Sequence, residues 1–221
     1  RLGPERACAQ GWISPRAMRN GIIVTVLFAC LIGSALLFYA GWELIIVGLL
    51  CVLFAFLYTT GPYPLSYNGW GDVLVIVFFG FVPVGGTYYV QALTWTSDTT
   101  VASLICGLLI DTLLVVNNYR DREADARSGK RTVIVRFGEK FGRYLYLMLG
   151  VAASLLCFWF FFEGHLFAAL LPLLYLIPHV LTWRRMVQIH SGKKLNSILG
   201  ETSRNMLLMG ILLSIGFLIR H

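Results

Sequence analysis

Two carboxylates lie one helical turn apart in the most highly charged stretch of an otherwise apolar chain. Asp121 and Asp125 are four residues apart, which places them on one face of a helix. Asn117 and Asn118 come four and three residues before Asp121, so their amides flank that face. Neighbouring carboxylates repel unless a cation lies between them, and Mg²⁺ binds one or two carboxylates together with waters and phosphate oxygens. The spacing predicts a Mg²⁺ site at Asp121 and Asp125, with Asn118 as a third catalytic residue.

Basic residues follow the two acids within a few positions. Gly129 can end the helix, and Lys130 and Arg131 come directly after it. A metal that bridges phosphate oxygens, together with Lys and Arg side chains that neutralise the remaining charge, would hold a diphosphate. A diphosphate site next to an apolar interior indicates ionisation of an allylic diphosphate to a carbocation.

A third acid lies deeper on the same face of this helix. Asp111 comes seven residues before Asn118 and fourteen before Asp125, which is close to two and four helical turns. An ionisable side chain within an apolar segment is costly, and it is usually functional or paired. Asp111 could therefore adjust the metal site or bind an aromatic substrate, or a hydroxyl such as that of Thr112 could satisfy it.

Four further charged side chains of this stretch point away from the acid face. We interpret them as part of a solvated helix next to the membrane, with pairs four residues apart. They are Arg120, Arg122, Glu123 and Arg127.

A second candidate segment, YTTGPYPLSYNGWGD at 58–72, contains helix-breaking Gly and Pro residues and aromatic residues suited to a membrane interface. Tyr58 and Tyr67 could line the pocket, where their π faces would shield a carbocation. Alternatively, they anchor the loop at the membrane surface. Asp72 ends the segment and is a candidate for a position near the site.

The composition places these residues in a membrane protein. The 221 residues are 57% hydrophobic and 13% charged, with a mean hydropathy of +0.73, whereas soluble domains carry about 25% charged residues. Seven apolar stretches have lengths near those that a membrane-spanning helix needs. The predicted spans are 21–39, 44–60, 73–93, 101–116, 144–162, 166–183 and 206–219.

The basic residues predict an orientation for these spans. With seven spans, 17 of the 18 Lys and Arg residues fall on one side, and only Arg220 falls on the other. The positive-inside rule makes the basic side cytoplasmic. The net charge of +7 therefore indicates anionic lipid or an anionic substrate as the partner, and not nucleic acid.

The motifs resemble one known family along the whole chain. The stretch NNYRDREADARSGKRTVIVRFG at 117–138 resembles the second aspartate motif of the UbiA superfamily of intramembrane aromatic prenyltransferases. It is most similar to the branch that prenylates 1,4-dihydroxy-2-naphthoate in menaquinone synthesis. GPERACAQGWIS at 3–14 is similar to the loop after the family's first motif, where an Arg corresponds to Arg6. The segments 58–72 and 195–217 resemble the same branch.

The resemblance implies an all-α transmembrane bundle of nine helices around a central cavity, with two aspartate motifs that bind Mg²⁺. It also implies a polyprenyl diphosphate donor, an aromatic acceptor and a location in the bacterial inner membrane. Arg6, Lys130 and Arg131 are the expected diphosphate ligands. The acceptor pocket is expected at Asn117, Tyr58, Tyr67, Asp72 and Asp111.

This chain shows seven predicted spans and only the second aspartate motif. We therefore expect residues 1–221 to be a single transmembrane prenyltransferase domain without its N-terminal two helices and first motif. Three alternatives compete with this interpretation. A family member with another acceptor, such as 4-hydroxybenzoate or homogentisate, shares the same motifs. A CDP-alcohol phosphotransferase has an acidic pattern that is not found here, and a transporter predicts paired broken helices at mid-membrane.

Overall fold

The chain folds into helices joined by loops in a computed structural model that describes residues 2–219. No strand occurs within this described part, which confirms the predicted all-α class. In chain order the helices are α1 (Pro15–Phe38), α2 (Glu43–Thr59), α3 (Gly71–Ala92), α4 (Ser97–Arg127), α5 (Val133–Phe137), α6 (Glu139–Phe162), α7 (Leu166–Ile189) and α8 (Leu195–Leu218).

The helices make this an integral membrane protein, although the number of spans differs from the prediction. Six described helices (α1, α3, α4, α6, α7 and α8) are long and apolar enough to cross a bilayer. Each of the seven predicted spans overlaps a helix, but α2 has only 17 residues and falls short of the roughly 20 that a bilayer requires. The structure therefore supports six spans by length. Arg1 and Arg220 of the charge count lie outside the described residues.

Helix α4 is the longest of the described helices and carries the acidic motif near its C-terminal end. Thr96 caps its start, where the threonine hydroxyl accepts a hydrogen bond from the Thr99 backbone N–H at 3.1 Å. The predicted span ended at residue 116, but the helix continues to Arg127 without a break. It stops at Gly129, whose φ of +74° is a left-handed conformation that favours glycine. The Lys130 N–H then bonds back to the Asp125 carbonyl at 2.9 Å.

Glycines allow α3 and α4 to approach closely. A Cβ added at Gly80 would lie 2.5 Å from the Ser103 carbonyl oxygen, and one at Gly107 would lie 2.9 Å from the Ile76 Cα. Helix α3 is wound as a wide π-helix from Ile76 to Gly85. This close crossing holds the first turn of α3 beside the C-terminal half of α4.

Most of the core surrounds α4, which packs against α3, α6 and α8. Buried side chains such as Val115, Tyr146 and Ile198 fill the space between these helices. Helices α1 and α2 contact each other, but neither has a residue buried within the chain. The rigid frame of the molecule is therefore the region from α3 to α8.

Candidate active site

A cavity of about 910 Å³ lies where the N-terminal segment, the loop between α2 and α3, and the end of α4 meet. Most of the residues predicted as site residues line it. These are Arg6, Tyr58, Tyr67, Asp72, Asn117, Asn118, Asp121, Asp125 and Lys130. Of the predicted set, Arg131 and Asp111 are not on its wall.

One face of α4 forms the acidic wall of this cavity. Leu114, Asn118, Asp121 and Asp125 recur at intervals of three and four residues and all line the cavity. Their alignment follows from the helical repeat, as the spacing predicted. The two carboxylates are partly buried, with 18% and 14% of their side-chain surfaces exposed.

Arg120 holds the Asp121 carboxylate with two hydrogen bonds. Its Nε donates to Asp121 Oδ1 at 2.9 Å and its Nη2 donates to Oδ2 at 2.6 Å. The same guanidinium donates to Asn117 Oδ1 at 2.7 Å and, across the bundle, to Asn196 Oδ1 at 2.9 Å. Arg120 is only 3% exposed. The prediction that Arg120 belongs to a solvated face is therefore wrong, because α8 covers it and supplies an acceptor.

Lys130 and Asn196 close the other sides of this site. The Lys130 ammonium lies 3.0 Å from Asp125 Oδ2, so the turn at the end of α4 returns a positive charge to the acid face. Asn196 also donates a hydrogen bond to the Leu2 carbonyl at 3.1 Å, which ties the N-terminal segment that carries Arg6 to the first turn of α8. Three separate parts of the chain thus meet at the two carboxylates.

Arg131 differs from its predicted role. Its side chain is exposed away from the cavity, while its backbone N–H donates to the Tyr67 carbonyl at 2.7 Å. Arg136 donates to the carbonyls of Arg131 at 3.1 Å and Asn68 at 2.7 Å. These bonds fasten the loop between α2 and α3 to the segment after α4, and they hold Tyr67 at the cavity.

A second charged group lies on another side of α4, around Glu139. We call it the Glu139 cluster, and it comprises Tyr119, Arg122, Glu139, Arg143 and His190. The prediction of a solvated Arg122 is therefore wrong, since its guanidinium lies 3.2 Å from the Glu139 carboxylate. Glu123 and Arg127 are exposed, as predicted.

The donor set at the cavity fits Mg²⁺. Asp121, Asp125, Asn117 and Asn118 offer the oxygen atoms that this ion prefers. No cluster of three or more His, Cys, Asp or Glu side chains that could hold a metal occurs within residues 2–219. A bound Mg²⁺ would take its remaining ligands from waters or from oxygens of a substrate, which is the usual arrangement for this ion in phosphate-binding sites.

The cavity thus combines paired acids and bases at one end of a bundle whose helices are long enough to span a membrane. Such a site suits a charged group on a membrane-bound substrate. The model of the UbiA prenyltransferase family matches residues 2–214, so the chain belongs to this family.

Several similar curated proteins carry the name 1,4-dihydroxy-2-naphthoate octaprenyltransferase. The one from Haemophilus influenzae is 36% identical over an alignment of 233 positions, which covers 99% of this chain and 73% of that protein. Those from Escherichia coli and Mycobacterium leprae are each 38% identical, and the match covers 71% of this chain and 53% of each relative. The chain thus spans about half the length of these two relatives. No solved structure matches it.

Proposed function

We propose that the protein transfers a polyprenyl group from a polyprenyl diphosphate to 1,4-dihydroxy-2-naphthoate, with loss of the acceptor's carboxylate. The products are the reduced (quinol) form of demethylmenaquinone, an intermediate of menaquinone biosynthesis, together with diphosphate and CO₂. The observation that carries the proposal is the cavity itself, where the acid face of α4 meets Lys130 and Arg6. Its residues lie in a chain that resembles a naphthoate prenyltransferase along 99% of its length.

The diphosphate binds at the cytoplasmic end of α4 in this proposal. Asp121 and Asp125, with the amide oxygens of Asn117 and Asn118, would hold Mg²⁺. The ion would neutralise phosphate oxygens and so favour departure of the diphosphate from the allylic carbon. Lys130 and Arg6 add positive charge to the same cavity and would bind the outer phosphate oxygens.

Arg120 has a positioning role, because it is not part of the cavity wall. Its planar guanidinium fixes both oxygens of Asp121, and a buried Arg with four acceptor contacts has little freedom to move. The carboxylate is thereby presented to the cavity in one orientation. Outer partners of this kind are worth about 10- to 100-fold in metal affinity or activity.

Two aromatic rings, that of Tyr58 at the end of α2 and that of Tyr67 in the loop that follows, lie at the apolar side of the site. Tyr58 and Tyr67 both line the cavity next to the acid face, so their π faces are available to stabilise positive charge on the departing prenyl carbon. Tyr58 also lines a second cavity of about 450 Å³ between α2 and α3, whose other wall residues are apolar side chains and a cysteine. The polar and apolar spaces therefore meet at Tyr58.

The enzyme is oriented in the bacterial inner membrane with its cavity on the cytoplasmic side. This part of the proposal counts α2 as a crossing helix, because segments 1–20, 61–72, 117–143 and 184–205 then lie on the side of the cavity and carry 17 of the 18 Lys and Arg residues. Anionic lipids at that surface are the expected neighbours of these loops.

Detection of the product by mass spectrometry tests the proposed function. Membranes that contain the complete protein receive 1,4-dihydroxy-2-naphthoate and a polyprenyl diphosphate, with Mg²⁺ or with EDTA, beside an Asp121→Ala variant. We expect a decarboxylated, prenylated naphthoquinol that requires Mg²⁺ and is absent in the variant. Turnover of 4-hydroxybenzoate or homogentisate instead would keep the reaction class and reassign the acceptor. No product with any aromatic acceptor would overturn the proposal.

A further inference from the structure

Two carboxylates beside the cavity have oxygen atoms that lack any hydrogen-bond partner. Within the described residues, the unpartnered buried side-chain oxygens are Asp72 Oδ1, Asp111 Oδ1 and the hydroxyl of Ser103. Buried polar groups are paired in the great majority of cases, and an unpaired one costs free energy. The unpaired oxygens of the two acids therefore need an explanation, and a ligand that binds them would supply one.

Asp111 lies on the face of α4 that forms the cavity wall. It precedes the wall residue Leu114 by three positions and Asn118 by seven, so it continues the same helical stripe. Its side chain is 1% exposed. The hydroxyl of Thr112, a possible partner in sequence, donates instead to the Leu109 carbonyl at 2.5 Å. No ion pair involves Asp111 in the described part of the chain.

Asp72 reaches the same region from another helix. It lies in the first turn of α3 and lines the cavity, and it interacts electrostatically with Asp111. Tyr58 interacts with both acids, and its hydroxyl lies 3.5 Å from the position that a Cβ at the neighbouring Gly71 would occupy. Asp72 and Tyr58 therefore line the inner part of the cavity, and the buried Asp111 lies close to both without being on the wall. Lys130 and Arg6 belong to its outer end.

The distance along α4 between this group and the diphosphate site leaves room for the proposed acceptor. Ten residues separate Asp111 from Asp121 along α4, which corresponds to about 15 Å of helix. An aromatic bicycle can therefore lie between the acid pair and the diphosphate site. A carboxyl oxygen without a partner can accept a hydrogen bond from an O–H or N–H group of a ligand. Two acids alone are too few for a closed metal site.

We infer that Asp72 and Asp111 together bind the ring hydroxyl of the aromatic acceptor that lies away from its carboxylate. This inference rests on the proposed function and adds an orientation to it. The 4-hydroxyl of the ring faces the acid pair, and the carboxylate at position 2, which carries the acceptor's charge, faces Arg6 and Lys130. The ring is then held with its reactive edge toward the prenyl carbon.

The test uses the complete protein in detergent under anaerobic conditions, with Asp72→Asn, Asp111→Leu and a Ser103→Ala control. Ser103 is a matched control because its hydroxyl is also buried and unpartnered on α4 but does not line the cavity. Equilibrium binding of 1,4-dihydroxy-2-naphthoate is followed by its fluorescence. A charge-assisted hydrogen bond predicts that each acid variant weakens acceptor binding by about 10- to 100-fold. The Ser103→Ala protein should bind the acceptor like the wild type.

Two further readouts separate a binding role from a structural one. The KM for polyprenyl diphosphate should stay within about twofold in the acid variants, because the diphosphate lies about 15 Å away. Thermal stability of Asp111→Leu should equal or exceed that of the wild type, because an unpaired buried carboxylate has been removed. The wild type should bind 1-hydroxy-2-naphthoate more weakly than the dihydroxy compound, and Asp111→Leu should lose that preference.

Unchanged acceptor binding in both acid variants would overturn the inference, as would a wild type that binds no dihydroxynaphthoate. A destabilised Asp111→Leu protein with unaltered hydroxyl preference would show a structural role instead. A failure of the proposed function would give a different result. The wild type would bind the acceptor and the acid variants would bind it more weakly, but no prenylated product would form.

Discussion

The two charged groups on α4 contain the same kinds of residue but differ in their spare hydrogen-bonding capacity. In the Glu139 cluster a single carboxylate receives the Tyr119 hydroxyl at 3.1 Å, His190 at 3.1 Å and both Arg122 and Arg143. A carboxylate has about four acceptor positions, so Glu139 is saturated. At the cavity, Asp121 receives two donors, both from Arg120. Asp125 has only Lys130 as a side-chain partner within the described residues.

This difference shows why charge pairing alone does not identify a functional site. Both groups are partly buried at the same end of α4, and both contain acids that are neutralised by bases. Only the cavity acids keep free acceptor positions that face a space large enough for a ligand. We therefore expect substitutions at the cavity to change activity with little loss of stability. Substitutions in the Glu139 cluster should do the reverse.

The largest effect is expected for Asp121→Asn and Asp125→Asn. Each change keeps the shape of the side chain but removes the charge that would hold a cation, so activity should fall by at least about 100-fold. Glu139→Gln, the matched change in the other group, should leave activity within about threefold and lower the apparent midpoint of thermal unfolding. Prenyl transfer in membranes and thermal unfolding in detergent measure the two quantities. Equal losses of activity for Asp121→Asn and Glu139→Gln would contradict the comparison.

The second largest effect is expected for Arg120→Lys. Lysine keeps the positive charge but cannot bind both oxygens of Asp121 in a fork, so activity should fall by about 10- to 100-fold, as is typical for outer partners of metal ligands. Arg122→Lys is the control two residues away and should stay within about threefold. A titration of inorganic diphosphate binding against Mg²⁺ should show weaker metal dependence for Arg120→Lys alone. If the titration curves of the two variants coincide, Arg120 has no positioning role.

A smaller effect separates Lys130 from Arg131. Lys130→Met removes a cavity charge, and the KM for polyprenyl diphosphate should rise by about tenfold, since a hydrogen bond to a charged group is worth about 1.5 to 3 kcal/mol. Arg131→Met should change this KM by less than about twofold, because the Arg131 side chain is exposed outside the cavity. Steady-state kinetics at saturating acceptor give both values. A larger rise for Arg131→Met would restore the role that the motif predicted for it.

The sequence predicted what depends on local periodicity. The apolar stretches located all the long helices, and the helical repeat alone placed Asn118, Asp121 and Asp125 on one face. Hydropathy also predicted one span more than helix length supports, since α2 is apolar enough but has only 17 residues. The successful predictions share a cause, because they need only the order of residues along one helix.

Contacts between distant segments were not predictable in this way. Arg120 is buried because Asn196, 76 residues later in the chain, accepts its hydrogen bond. The difference between Lys130 and Arg131 arises from the turn at Gly129, whose positive φ sends one side chain back to Asp125 and the other outward. The family motif contains both residues but does not encode their directions. The proximity of Asp72 to Asp111 likewise depends on the crossing of α3 over α4.

The smallest effect is expected at His190, on the edge of the Glu139 cluster. His190 has φ +62° and ψ −51°, and the Ser191 N–H bonds to the Ile189 carbonyl at 2.6 Å, which defines a strained γ-turn. Glycine at this position should relieve about 1 to 3 kcal/mol of strain, whereas the lost contact with Glu139 is half-exposed and worth about 0 to 1 kcal/mol. His190→Gly should therefore raise the midpoint of thermal unfolding by about 2 to 4 °C for each kcal/mol gained, with unchanged activity. His190→Ala removes the same contact but keeps the strain, so its midpoint should fall slightly. If both variants lose stability equally, the ion pair outweighs the strain, and the Glu139 cluster stabilises the end of α7 more strongly than its exposure indicates.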